Sequence, residues 1–545
     1  MVPLIDQPFH AREWFLSTDR TARPGAVSAE SSDSSDIDEF GYKPSLVRSL
    51  GSFHTFAAGI SYISILTGTF QLFYFGLGSG GPAYWWSWPL VFVGQFMVAL
   101  CFCELAARFP VAGSIYNWTK RLTSPHTAWL AGWTMLTASI VSIAAVALAL
   151  QATLPELWDG FQFIPDPTGE DTTAQALNGV ILATALIVFT TAINAFGTKL
   201  MAQINAAGVF IELVAAVLLI ILLAVNIVRG PQVVFDTAGI DTSGRPLGYA
   251  GAFLVAMFAS LYVMYGFDTA SSLAEESHDP RRNAPKAILR ALFFSFLLGG
   301  LILLFALMSA PDLSDPSFSS LGGLQNLILA VLGGPVGSVI LVAVVIAVIV
   351  CALAVHAAAI RLAFAMSRDN NLPAGTKLCT ISPRFGTPVV SSVAIGVIAV
   401  ALLLVTFSPQ IYTVVTSIAI IMIYTAYLLV TVPMLIKRLR GQWEPREGAF
   451  SLGRWGIPVN ILAVIWGGTM AVNLAWPRNE VYNASEPFHW YLQWGGVLLP
   501  GLILGAGFAY YWTVQRHKTG VVAEHARVDT AATTTSTTTP PEGAK

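Results

Sequence analysis

The sequence predicts an all-α polytopic membrane protein with 12 transmembrane helices, and three observations carry that prediction. Of 545 residues, 55% are hydrophobic and only 11% charged, whereas soluble domains carry about 25% charged residues. Mean hydropathy is +0.65. Twelve apolar runs, each of about the 20 residues that cross a bilayer, are separated by polar connections.

Residues 1–45 are polar and include the acidic run SSDSSDIDEF at 31–40. They are expected to form a disordered cytoplasmic tail, with a cluster of regulatory phosphorylation sites as the alternative. The runs lie near 51–77, 88–108, 127–150, 177–196, 204–228, 249–273, 288–310, 337–366, 387–407, 411–436, 457–476 and 490–513. A shorter apolar piece at 321–333, between the seventh and eighth, reads as a loop helix. The membrane-spanning body is thus expected to cover 46–515, and 516–545, ending in TAATTTSTTTPPEGAK, to form a second disordered cytoplasmic tail.

Orientation follows from the basic residues. With both termini cytoplasmic, the outer loops hold only Arg229, Arg245 and Arg478 of the 29 Lys and Arg residues. The outer loop at 155–175 is acidic instead. Trp85, Trp86, Trp88, Trp476, Trp490 and Trp494 gather at predicted outer boundaries, as an aromatic belt does.

Several function classes are excluded. A net charge of −2 lacks the basic footprint of nucleic-acid binding. Three of the four cysteines sit in apolar runs, and Cys101 and Cys103 have neither zinc spacing nor a second pair. No metal, cofactor or disulfide is expected. No Walker A motif or Ser/His/Asp constellation is present, so neither ATP hydrolysis nor an intramembrane enzyme is supported.

Two spans carry the chemistry. The sixth is broken near its middle by Tyr265, Gly266, Phe267 and Asp268. A carboxylate there costs at least about 2.5 kcal/mol on insertion scales, and opened backbone survives at that depth only inside protein or beside water. The first span, GSFHTFAAGISYISILTGTF, is crowded at its centre by Ala57, Ala58, Gly59, Ser61 and Ser64. Close helix packing explains such residues equally well, but interrupted helices at matching positions of two halves point to a transporter site. Half-helix ends present N–H groups that suit a carboxylate and carbonyls that suit an ammonium. Glu212, in the fifth span, reads either as a hydrogen-bonded packing acid or as a proton-coupling group. His356 reads as a packing histidine or a relay. Glu104 and Arg108, four apart, read as a structural interfacial pair.

Extended motifs now carry a family resemblance. FCELAARFPVAGSIYNWTKRL in the second span resembles the E-L-A-S-x-x-P-x-x-G-G-x-Y pattern of amino acid–polyamine–organocation (APC) superfamily permeases. GFDTASSLAEESHDPRRNAPKAI and RLAFAMSRDNNLP are similar to two further motifs of that superfamily. GISY in the first span most resembles the amino acid, GABA and choline branch. The resemblance implies a LeuT-like 5+5 inverted repeat plus two extra helices. It implies that Ala58, Gly59, Ile60 and Ser61 face the substrate carboxylate, and that Tyr265, Gly266, Phe267 and Asp268 face the amine. The first span reads A-A-G-I-S where the family commonly has G-(S/A)-G, which leaves room for ω-amino acids or amines. Some relatives place a Lys in span 5; here Glu212 is the ionisable residue of that span's interior.

The expected function is a secondary active transporter of an amino acid or related amine (GABA, choline or polyamine class) across the plasma membrane. Alternating access would be driven by protons, with Glu212 as coupling residue. An exchanger and a transporter-like nutrient sensor are the alternatives.

Overall fold

A computed structural model describes residues 39–43, 46, 50–166, 171–240, 242, 247–404, 409–483 and 488–526. Most of the acidic run and the C-terminal low-complexity run lie outside these residues. Among the described residues, ten helical stretches are long and apolar enough to cross a membrane. The sixth and ninth predicted spans form shorter apolar helices, and Gly323–Leu332 is the expected loop helix.

The first span is two helices, α1 (Ser52–Ile63) and α2 (Ile65–Gly80). The second is α3 (Ser87–Arg108), followed by the short α4 (Ser114–Leu122). Next come α5 (Pro125–Leu148), α6 (Thr172–Phe196) and α7 (Thr198–Ala224). The sixth span is α8 (Tyr249–Val263), an unwound stretch, and the single turn α9 (Thr269–Ser272). The remainder are α10 (Pro280–Ser309), the loop helix α11 (Gly323–Leu332), α12 (Gly334–Arg368), α13 (Val389–Leu403), α14 (Pro409–Leu439), α15 (Gly456–Ala475) and α16 (Gly495–Thr513).

Local chemistry sets several boundaries. Ser124 caps α5 by accepting the Thr127 N–H, with Pro125 at the first helical position. Asp171 accepts the Thr173 and Ala174 N–H groups at the start of α6. The broken spans lie at the centre: the most apolar window of the first span is 94% buried, against 39% for α7 and 28% for α16. On α7 the outward residues Phe210, Val214 and Ile221 are exposed and apolar, the surface a lipid-facing helix requires.

Two interfacial expectations change. Trp86, Trp476, Trp490 and Trp494 are exposed, but Trp88 is buried and donates to the Phe296 carbonyl at 2.8 Å. Glu104 does not pair with Arg108. It pairs with Arg438 of α14 and accepts from Trp443 Nε1 at 2.9 Å, while Arg108 lies over the Trp443 ring. A partner on another helix displaced the neighbour one turn away.

The described ends of both termini meet on the face that carries the second motif's arginines. Tyr42 bridges to Ala526, and the Lys43 N–H donates to the His525 carbonyl. Val522 and Gly520 donate to the carbonyls of Arg368 and Asp369 at the end of α12. Residues 516–526 thus pack as a strap over that end.

Candidate functional site

Both breaks are visible in the backbone. In the first span the chain leaves the helix at Ser64 (φ 39°, ψ 97°), one turn beyond Ser61. In the sixth, Gly266 adopts φ +83°, a region in which residues with a Cβ are strained. A Cβ on Gly266 would lie 1.9 Å from the Tyr62 ring, so the glycine also supplies the room in which the two breaks touch.

Each break is tied down by a buried carboxylate. Glu212 Oε1 accepts from Ser64 Oγ at 2.9 Å and from the freed Leu66 N–H at 3.1 Å. The acid of the fifth span therefore caps the second half of the first. It forms no ion pair among the described residues. Asp268 accepts from Tyr427 Oη at 2.6 Å and from Ser114 Oγ at 3.1 Å. The same Tyr427 oxygen accepts the Gly266 N–H at 2.9 Å. One hydroxyl on α14 thereby satisfies both the backbone of the break and its acid, as a buried polar group requires.

The other singled-out residues divide between two faces. Gly59 meets the sixth and seventh spans, where a Cβ would lie 3.2 Å from the Ala270 Cβ and 3.4 Å from the Ala291 Cβ. Ile60 is buried, and its carbonyl accepts the Ser64 N–H at 2.8 Å. Ala58 packs with Met201, Ala202 and Leu353, towards the fifth and eighth spans. Ser61 points the same way: its hydroxyl accepts from Asn205 Nδ2 at 2.8 Å and donates to the Ala57 carbonyl. Tyr265 stacks edge-on against both Tyr62 (6.1 Å) and Tyr262 (5.8 Å). Phe267 turns away, against Phe102 and Tyr427. The breaks are thus in contact through Gly266 and Tyr62, whereas the carboxylate of Asp268 faces α14 and α4. Thr269 Oγ1, Ser271 Oγ and Glu212 Oε2 are buried without a hydrogen-bond partner among the described residues. His356 is buried with Nδ1 3.1 Å from Thr190 Oγ1, a packing contact to α6.

Below the sixth-span break, two bidentate ion pairs close one face. Arg361 holds Glu276 at 2.9 and 3.2 Å, and Arg368 holds Glu275 at 3.0 and 3.1 Å, all four side chains buried. Planar guanidinium matches carboxylate in this way, with two parallel hydrogen bonds. Glu275 also accepts the Ala112 N–H at 3.0 Å, and the Arg368 guanidinium lies 3.7 Å from the Tyr42 ring centroid. These residues fall within the sixth- and eighth-span motifs, so the motif signal was present in the sequence although their pairing was not. Ser114 likewise falls within the second-span motif, whereas Tyr427 and Asn205 carried no such signal; a hydroxyl or amide in an apolar run is ordinary until its partner is known.

The comparisons agree with this architecture. A family model described as amino acid permease matches residues 50–502. The amino-acid permease BAT1 of Arabidopsis thaliana is 28% identical over 503 residues, covering 88% of this chain and 94% of that protein. The thiamine transporter thi9 of Schizosaccharomyces pombe is 26% identical over 496 residues, covering 81% of this chain and 80% of that protein. Among solved structures, MhsT in complex with L-phenylalanine aligns with a TM-score of 0.54 at 13% identity, covering 79% of this chain and 98% of that one. That likeness gives the LeuT-like fold. The chain is a membrane permease rather than an enzyme, and it belongs to the amino acid permease family of the APC superfamily.

Proposed function

We propose that this permease is a secondary active transporter that moves an amino acid or a related amine across the plasma membrane, by alternating access coupled to protons. The observation that carries the reading is the pair of touching helix breaks, each held by a buried carboxylate that makes no ion pair among the described residues. Freed N–H groups and carbonyls at such breaks can take a zwitterion without bringing new charged side chains into the membrane. Ala58, Gly59, Ile60 and Ser61 lead into the first break, and Tyr265, Gly266, Phe267 and Asp268 form the second. Substrate binds between them. Glu212 is the coupling residue: its protonation state changes how many hydrogen bonds it can accept from Ser64 and Leu66, so the first break responds to the proton. Both termini lie in the cytoplasm, where the Glu275–Arg368 and Glu276–Arg361 pairs close the inner gate.

The test is uptake into proteoliposomes under an imposed pH gradient, after a thermal-shift screen of amino acids, GABA, choline, polyamines and thiamine. A ligand that binds only the folded state raises its melting temperature. Glu212→Gln is expected to abolish gradient-driven accumulation and to leave counterflow largely intact. Unchanged accumulation removes Glu212 from coupling. Obligatory exchange without net uptake supports the antiporter reading instead, and binding without transport supports the sensor.

A further inference from the structure

On the face that carries both termini, a cleft of about 400 Å³ opens between the start of α10 and the connection from α14 to α15. It is lined by five cationic residues, Arg281, Arg282, Lys286, Arg290 and Arg446. Only Asp279 and Glu447 oppose them in the lining. Glu39 already spans its rim: one carboxylate oxygen lies 3.2 Å from Arg281 and 2.9 Å from Arg446. Immediately upstream of Glu39 the sequence reads Ser31-Ser32-Asp33-Ser34-Ser35-Asp36-Ile37-Asp38. That segment carries three acids and no basic residue.

We propose that the cleft is the docking site of the chain's own acidic segment, Ser31–Asp38, which fastens the connection between the sixth and seventh spans to that between the tenth and eleventh. Three observations favour this occupant. The described chain enters at the rim, at Glu39. The charges are complementary: three acids meet a lining with three more cations than acids. Reach is sufficient too. Arg281 and Arg290 are about 13 Å apart along the helix axis at 1.5 Å per residue, while eight extended residues span up to about 26 Å. The two connections are therefore held together by one electrostatic clasp. It weakens with salt as exposed ion pairs do.

Four native cysteines are buried, so a cysteine pair can be read against a low background. Full-length Ser35→Cys/Leu289→Cys in phosphatidylcholine nanodiscs is oxidised mildly, and the rate of disulfide formation is followed. The same pair is then measured with Asp33→Asn, Asp36→Asn and Asp38→Asn added. Docking predicts that loss of the three acids slows cross-linking about tenfold, because the tail falls back from a held position to the effective concentration of a tether, and that high salt does the same. An unchanged rate overturns the proposal: the tail is then merely tethered nearby. So does a cleft that takes anionic lipid headgroups instead, seen as stabilisation by phosphatidylserine that Arg282→Gln/Arg290→Gln removes while the three Asp→Asn changes leave the cross-linking rate unaltered.

Discussion

Breaking the Arg368–Glu275 pair gives the sharpest test of how this fold is closed. The two hydrogen bonds are 3.0 and 3.1 Å long, and the side chains are 0% and 1% exposed. Arg368→Met keeps most of the aliphatic stem but removes the guanidinium that lies over the Tyr42 ring, and leaves Glu275 with the Ala112 N–H as its donor among the described residues. Removing one partner of a buried pair strands the other, a cost of about 3–5 kcal/mol. Glu275→Gln strands the arginine at similar cost. Replacing both partners by methionine removes the stranded charge, so the double variant should lie well above the sum of the singles, with a coupling of about 2–3 kcal/mol. The assay is unfolding in mixed micelles titrated with SDS, followed by tryptophan fluorescence, for wild type, both singles and the double. Applied to a closed–open equilibrium instead of unfolding, 3 kcal/mol is a shift of about a hundredfold. Labelling of Ser272→Cys by a water-soluble maleimide from the face bearing the termini should rise accordingly in the singles. Singles that each cost under about 1 kcal/mol, or a strictly additive double, would refute the reasoning.

Gly266→Ala should abolish transport or yield no folded protein, since its Cβ would sit 1.9 Å from the Tyr62 ring at φ +83°. Adding Tyr62→Ala relieves the clash but not the left-handed strain of about 1–2 kcal/mol, so activity is not restored; wild-type uptake in Gly266→Ala would contradict this. Tyr427→Phe removes the oxygen that satisfies both Gly266 and Asp268. It should cost about 1–3 kcal/mol per stranded group, read as a lower melting temperature and loss of ligand-induced stabilisation. A melting temperature equal to wild type would refute it. The strap at 516–526 should loosen in acid. Burial pushes the His525 imidazole below its ordinary range, reinforced by Arg368, against the opposing effects of the Cys379 carbonyl, Glu524 and Glu275. The folded state thus binds its proton less readily than the unfolded one, and stability is full above about pH 6.5 and falls below it. Limited proteolysis at pH 5 and pH 8 should show faster cleavage of the strap at pH 5, with the difference reduced in His525→Gln; equal cleavage rates in the wild type count against it.

The membrane class, the succession of apolar spans, a loop helix near 321–333 (found at Gly323–Leu332) and the break across Tyr265–Asp268 were legible in the sequence. These are local properties: hydropathy sums along one segment, and a glycine two residues from an acid in an apolar run marks a place where the helix can open. The sequence also pointed to an interrupted first span, within the crowd of small residues from Ala57 to Ser64 but without singling out Ser64 as the break, because a small residue that permits close packing and one that leaves the helix look alike in one dimension. Only the tertiary structure decided the partners. Glu104 met Arg438 instead of Arg108, and Glu275 and Glu276 met arginines more than eighty residues away. Glu212, legible only as an acid in an apolar helix, became the cap of a different one. Buried polar groups take whichever partner satisfies their geometry with least desolvation, and that choice is made across helices, where sequence spacing carries no information.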